Sequence, residues 1–186
     1  QNVFDKHRVN AMAGLSWQER TYESFNATAK TFADDFYGYH NMGAGTQRPS
    51  VASDHDRWAM NSYFLRLGYT FNDKYMATVT GRYDGSSKFG KNNKYAFFPS
   101  AGLAWLISNE DFMKNNPVIS MLKLHTSYGI MGNSEIGTYA SLATIGQGTT
   151  VIGGETVTTA YVSKMANKDL KWEKTAQFDL GVNLGL

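Results

Sequence analysis

The sequence predicts an all-β chain, a segment of about six long antiparallel strands from a larger transmembrane β-barrel. Three observations predict it. Apolar and polar residues alternate with period two over stretches longer than the roughly five or six residues of an ordinary soluble strand. Aromatics make up 14% of the 186 residues, as 11 Tyr, 11 Phe and 4 Trp, yet the mean hydropathy is −0.40. That mixture suits a wall that is greasy on one side and wet on the other. The connections differ in length, short on one side and mostly long on the other, as in outer-membrane barrels.

The first strand covers residues 7–21, where Val9, Ala11, Ala13, Leu15 and Trp17 oppose Arg8, Asn10, Met12, Gly14, Ser16 and Gln18. The second, 57–72, sets Tyr63, Leu65, Leu67, Tyr69 and Phe71 against Phe64, Arg66, Gly68 and Thr70. The third, 74–87, sets Tyr75, Ala77, Val79 and Tyr83 against Met76, Thr78, Thr80, Arg82 and Asp84. The fourth, 95–109, has Leu103, Trp105 and Ile107 opposite Gly102, Ala104 and Ser108. The fifth, 119–132, has Leu122, Leu124, Tyr128 and Ile130 opposite Lys123, His125, Ser127 and Gly129. The sixth, 169–186, is the cleanest: Trp172, Ala176, Phe178, Leu180, Val182 and Leu184 share one parity, with only Lys174 against the trend. Its other parity holds Glu173, Thr175, Gln177, Asp179, Gly181 and Asn183. A tilted membrane strand needs about 9–11 residues, so each of these is long enough to cross.

The apolar parity is expected to face lipid, with Leu15, Leu65, Leu67, Val79, Leu103, Leu124, Phe178, Leu180 and Val182 as its candidates. The polar parity is expected to face the lumen, with Arg66, Arg82, Asp84, Lys123, His125, Glu173, Gln177 and Asp179. Ionisable groups are tolerated there because that wall meets water and protein. Aromatics near strand ends, among them Trp17, Tyr63, Phe71, Tyr75, Tyr83, Tyr95, Trp105, Tyr128 and Trp172, are candidates for the two interfacial girdles. Short connections at 72–74 and 110–118, the latter with room for a helical turn before Pro117, are read as periplasmic. Longer ones at 22–56 and 133–168, with a short third at 88–94, are read as extracellular.

Net charge is +2, without a basic tail or an acidic block, so no nucleic-acid partner is indicated. Cysteine is absent, which excludes disulfides and thiolate metal sites. No stretch approaches the roughly 20 apolar residues of a spanning helix. No signal peptide is legible at the start, and the last residues still alternate, so the chain is expected to be a piece of a longer one.

Motifs for chemistry fail on context. Gly85-Ser86-Ser87-Lys88-Phe89-Gly90-Lys91 fits most of a phosphate-binding loop, but Asn92 stands where Ser or Thr is needed and a strand follows instead of a helix. His7, His40, His55 and His125 show no helical ligand spacing, and Asp54-His55-Asp56 reads as a solvated loop cluster. No serine sits in a nucleophile elbow. Asp84, Glu173 and Asp179 read as hydrated wall residues and not as a glycosidase pair. No catalytic, cofactor or metal site is expected, and the chain is not expected to be an enzyme. Tyr22, Phe25, Phe32, Phe36, Tyr37 and Tyr39 in the first long excursion suit packing or stacking on sugar rings, packing being favoured.

Three strings narrow this further. Residues 74–113 contain Arg82-Tyr83-Asp84-Gly85-Ser86-Ser87, Phe89-Gly90, Phe98-Pro99-Ser100 and Ala104-Trp105. Residues 122–139 contain Ser127-Tyr128-Gly129, Gly132-Asn133 and Ile136-Gly137. Residues 167–186 contain Asn167, Leu170 and Trp172-Glu173. In this order they resemble the barrel of SusC/RagA-type TonB-dependent transporters, over nearly the whole chain. The resemblance implies a barrel of roughly 22 strands with an internal plug. It implies import of large nutrients, oligosaccharides or peptides, across the outer membrane of a Gram-negative, Bacteroidetes-type bacterium. It also implies a SusD-like surface lipoprotein as partner, and TonB as the energy source. The plug, the TonB box and a signal peptide are not found in these residues. Two other readings compete. A passive pore or adhesin barrel would use the same wall without a plug. A soluble β-rich carbohydrate-binding module would need shorter strands and a polar face where this one is apolar.

Overall fold

A computed structural model describes residues 2–4, 6–47, 49–114 and 117–186. Arg48, in the expected excursion 22–56, and Asn115 and Asn116, in the expected connection 110–118, lie outside the described residues. The chain divides into two compact units, residues 19–58 and residues 1–18 with 59–186.

The strands are β1 (Asn2–Phe4), β2 (His7–Thr28), β3 (Ser50–Phe71), β4 (Tyr75–Ser86), β5 (Tyr95–Leu106), β6 (Met121–Asn133), β7 (Thr144–Ile152), β8 (Glu155–Lys164) and β9 (Glu173–Gly185). They form a seven-stranded sheet in the order β1-β2-β3-β4-β5-β6-β9 and a separate two-stranded sheet, β7-β8. The six predicted strands correspond to β2 to β6 and β9, and the pairings β1–β2, β3–β4, β4–β5, β5–β6, β6–β9 and β7–β8 are antiparallel.

The differences from expectation have local causes. The strands β2 and β3 run on into the predicted excursion 22–56, and among the described residues between them 29–47 and 49 lie outside any strand. Asp54, His55 and Asp56 therefore lie in a strand and not in a loop. There, within the smaller unit, His55 Nε2 lies 3.6 Å from Glu23 Oε1, and Arg57 pairs with Glu19. The sixth strand begins at Glu173, later than the predicted 169, because 167–172 is bent into a turn in which Asp169 N donates to Asn167 Oδ1 at 3.1 Å. The second long excursion contains the hairpin β7–β8, which the sequence reading treated as loop. Its turn is Gly153-Gly154, with φ of +63° and +89°. Two successive left-handed residues make the hairpin turn whose twist matches its strands, and glycine adopts them without steric penalty.

The connection β3–β4 is tight, with Phe71 paired to Tyr75. Asn72 and Asp73 both take left-handed φ, +52° and +51°, which their short polar side chains tolerate better than most. The connection β5–β6 starts as a 3-10 turn over Ile107–Asn109 and continues through a turn closed by Met113 N on Glu110 O at 2.9 Å.

Candidate functional site

The register joins single residues into rows across the sheet, because directly opposed residues of antiparallel strands point to the same face. One row is Leu67, Val79, Ala101, Tyr128 and Phe178. The next is Tyr69, Ala77, Leu103, Thr126 and Leu180, and the next Phe71, Tyr75, Trp105, Leu124 and Val182. Leu65 stands beside Gly81, which pairs with Pro99. Eight of the nine residues predicted to face lipid thus share one continuous apolar face. Leu15 joins it by inference from β2: Asn10 lies over Gly68 and Gly14 lies under Phe64, both on the opposite face, so the odd residues of β2 belong with Leu65. These side chains are bare; Leu15, Leu103, Phe178 and Leu180 are 77%, 61%, 66% and 67% exposed. An uncovered apolar face of this extent marks a surface that meets lipid or protein.

Two aromatic bands cross this face. At the short-turn end Phe71, Tyr75 and Trp105 stack in sequence, with ring centroids 6.3 and 6.2 Å apart. At the other end Tyr63, Tyr83 and Phe97 form a row, and Tyr83 stacks on Tyr95 at 5.2 Å. From Tyr75 to Tyr83 the strand advances about 27 Å at 3.3–3.4 Å per residue. At a barrel tilt of 35–45° that spans about 20 Å along the membrane normal, close to the ~25 Å apolar band of outer-membrane barrels.

The opposite face is polar. Arg66, Thr80, Ser100, Gly129 and Gln177 form one row, and Gly68, Thr78, Gly102, Ser127 and Asp179 the next. His125 opposes Gly181 and lies across it, and Lys123 opposes Asn183. Asp179 accepts from Gln177 Nε2 at 3.1 Å and from Ser127 Oγ at 3.4 Å. Arg82 Nε donates to both oxygens of the buried Asp84 at 2.7 Å, and its Nη2 donates to Ser62 Oγ at 3.1 Å. Seven of the eight predicted lumen residues therefore fall on one register-linked face, and two pairs are joined there. Glu173 stands apart. It accepts from Asn133 Nδ2 at 3.1 Å, beyond Ser100–Gly129, where the pairing of β5 with β6 ends.

Past that point the alternation of the β6–β9 pair no longer runs in phase with β5. Phe98 faces with Arg82, yet it meets the position above Gly132, lies under the Lys174 ammonium and contacts Trp172 edge-on at 5.4 Å. Trp172 is accordingly not a girdle residue as expected. It is 6% exposed and belongs to a small core with Phe89, Ala96 and Phe98. Lys174, the residue against the trend, is explained by the same shift.

This core binds the 88–94 tip to the turn before β9. Trp172 Nε1 donates to Lys94 O at 3.1 Å, Gly90 N to Leu170 O at 3.0 Å and Asn93 Nδ2 to Asp169 O at 3.2 Å. A side chain on Gly90 would stand 2.1 Å from Lys168 O, so that glycine answers a close backbone approach and not a phosphate. The sequence strings Phe89-Gly90 and Leu170-Lys171-Trp172, far apart in the chain, are the two halves of one contact.

At the short-turn end Glu110 accepts three hydrogen bonds, from Lys74 Nζ at 2.7 Å, Tyr75 Oη at 2.7 Å and Trp105 Nε1 at 3.0 Å. The Lys74 bond, then those of Tyr75 and Trp105, hold its carboxyl down to about 2. The same bond raises the Lys74 ammonium above its ordinary value. Alternation gave no signal for Glu110, which lies outside every strand; a carboxylate five residues after an interfacial Trp was the only hint. Among the described residues no group of three or more His, Asp or Glu side chains is placed to hold a metal ion.

Comparison with known proteins agrees with this geometry. The family described as TonB dependent receptor-like, beta-barrel matches residues 2–186. A TonB-dependent receptor of Formosa agariphila is 38% identical over 98% of this chain and 18% of its own length. The TonB-dependent receptor SusC of Bacteroides thetaiotaomicron is 39% identical over 67% of this chain and 13% of its own length. The RagAB peptide importer, solved in a closed-closed and an open-open state, superposes with a TM-score of 0.86 in both, at 30% identity over 100% of this chain and 20% of that one. The chain thus spans about a fifth or less of the proteins it matches. It belongs to the β-barrel family of TonB-dependent receptors and is SusC-like within it.

Proposed function

We propose that this chain is a stretch of the wall of an outer-membrane importer of large nutrients in a Gram-negative bacterium, energised through TonB. The apolar face, with Leu65, Val79, Leu103 and Leu180, meets the bilayer, and the face with Arg66, Arg82, Lys123, His125, Gln177 and Asp179 lines the lumen. The observation that bears most of this reading is the apolar face held between two aromatic bands. The tight turns then lie on the periplasmic side, and the β7–β8 hairpin and the 88–94 tip on the outer side. Kinship with SusC and with the RagAB peptide importer supports oligosaccharides or peptides as the cargo and a SusD-like lipoprotein as the outer partner. The family works by transport and reception, and that supports a non-enzymatic role. The uncovered apolar rows speak against a soluble carbohydrate-binding module, which would expose polar residues there.

The test is uptake by the full-length protein in cells with and without TonB. Loss of growth on the polysaccharide or protein digest that the intact strain uses is expected when TonB is deleted. Equal uptake in both strains would leave a passive pore or an adhesin barrel as the better reading.

A further inference from the structure

We propose that a cleft at the outer rim of the apolar face binds the phosphorylated head group of an outer-leaflet glycolipid. This rests on the reading of that face as bilayer-facing, with the 88–94 tip outward. The contact between the tip and the turn before β9 gathers lysines from two segments far apart in the chain. Lys91 and Lys94 come from one, and Lys168, Lys171 and Lys174 from the other. Between the segments lies a cleft of about 500 Å³, whose lining includes Asn93, Tyr95, Lys171, Trp172, Glu173 and Lys174.

The carboxylates nearby do not neutralise these cations. Asp169 accepts from Asn92 Nδ2 at 3.3 Å, and Glu173 accepts from Asn133 Nδ2 at 3.1 Å. Among the described residues no ion pair involves Lys91, Lys94, Lys168, Lys171 or Lys174; the Lys174 ammonium instead lies over the Phe98 ring at 5.6 Å. Lys171 and Lys174 thus bring two positive charges to a cleft with one carboxylate in its lining, so an anion from outside completes it. A phosphate monoester carries nearly two negative charges on three acceptor oxygens and can meet both ammonium groups. Tyr95 indicates where that phosphate comes from. Its ring stacks on Tyr83 of the outer aromatic band at 5.2 Å and lies across Gly85, which has the parity of Tyr83. The cleft therefore opens at the edge of the bilayer-facing side, at the level where interfacial rings meet head groups. Basic clusters at that level recognise anionic head groups. In the outer leaflet of a Gram-negative outer membrane that head group is the phosphorylated disaccharide of lipid A.

The experiment uses the full-length protein, folded into vesicles, extracted in a mild detergent and titrated with diphosphoryl lipid A under native mass spectrometry. Wild type is expected to bind lipid A, and to bind the same glycolipid stripped of its phosphates at least roughly tenfold more weakly. Lys171→Gln combined with Lys174→Gln should show the same loss for diphosphoryl lipid A. Lys6→Gln, at an exposed lysine of the short-turn end, should bind as wild type does. Glu173→Gln should bind more tightly, because it removes the negative charge of the cleft itself. If the double variant fails to give a heat-resistant folded band, Glu173→Gln and the stripped glycolipid decide the matter without it. No bound lipid A in wild type, equal binding of the two glycolipids, an equal loss in Lys6→Gln or no gain in Glu173→Gln would each overturn the proposal. Displacement of the lipid by equimolar inorganic phosphate or polygalacturonate fragments would also overturn it and assign the cleft to a soluble anion. If the wild-type protein does not insert into vesicles at all, the barrel reading falls with it. Insertion without lipid A binding removes the cleft alone.

Discussion

Glu110 ties together two connections that are distant in sequence. Its carboxylate takes hydrogen bonds from Lys74 after β3 and from Trp105 at the end of β5, while Asn109 Nδ2 donates to Asp73 O at 2.9 Å alongside. Such bonds favour the ionised form, which is why its pKa falls from the ordinary 4.5 to about 2. The sign of the consequence follows from linkage. A carboxyl whose folded value lies below its unfolded one adds stability that is fully present above pH 4.5 and is lost as the pH falls from 4.5 toward 2. Glu110→Gln keeps the size and removes the charge. The urea midpoint of the full-length protein in vesicles should therefore exceed that of the variant by a constant margin above pH 4.5, and the margin should shrink toward pH 2. A margin that stays constant down to pH 2, or no margin at all, would show that the ionisation of Glu110 contributes nothing to stability.

Among the elements, the strands were the most legible part of the sequence, since a sheet with one apolar and one polar face writes them into alternate residues. The rows through Leu67 and Leu103 keep this alternation across five strands. It predicts that Leu65→Arg, Val79→Arg and Leu180→Arg in the full-length protein each cost about 2–4 kcal/mol of folding into bilayers near the midplane, while Gln177→Arg costs clearly less. Equal costs would refute the assignment of faces. Alternation stops being informative where strands lose their common register. Trp172 has the parity of Phe178, but it precedes the strand and turns into the core under the 88–94 tip, a contact with no local signature at either end. The hairpin β7–β8 was legible in principle, since Gly153-Gly154 between Thr- and Val-rich runs is a turn signal; the Gly and Thr content concealed it. Because Trp172 joins the 88–94 tip to the turn before β9, Trp172→Ala should remove interactions worth about 3–5 kcal/mol, by analogy with other buried Trp to Ala changes. The loss should be local. Trypsin should cleave after Lys168 and Lys171 faster in the variant than in wild type, with the barrel band unchanged on gels. An unchanged cleavage rate would mean that the bonds of Gly90 and Asn93 to the turn hold it without Trp172.

For the molecule as a whole, the question is what supplies stability, because the described residues bury so little. The apolar side chains classed as buried are Phe89, Ala96, Phe98 and Trp172, all at one end of the sheet. So few buried side chains are a small offset to the backbone entropy of ordering a sheet of this length. The strands β1 and β9 also stand at the two ends of the sheet order, where backbone groups seek further partners. In the proposed barrel wall, lipid against the Leu65–Leu180 face and further strands paired to the sheet edges supply the rest. Residues 1–186 expressed alone should therefore not give a folded monomer in water. Size-exclusion chromatography should show aggregates, and urea titration followed by circular dichroism should give a broad, non-cooperative loss of signal. The full-length protein in vesicles should instead unfold cooperatively. A sharp transition from a monomeric 186-residue chain in plain buffer would contradict this argument, and it would revive the soluble-module reading, since only a chain able to cover its apolar rows by itself could behave that way.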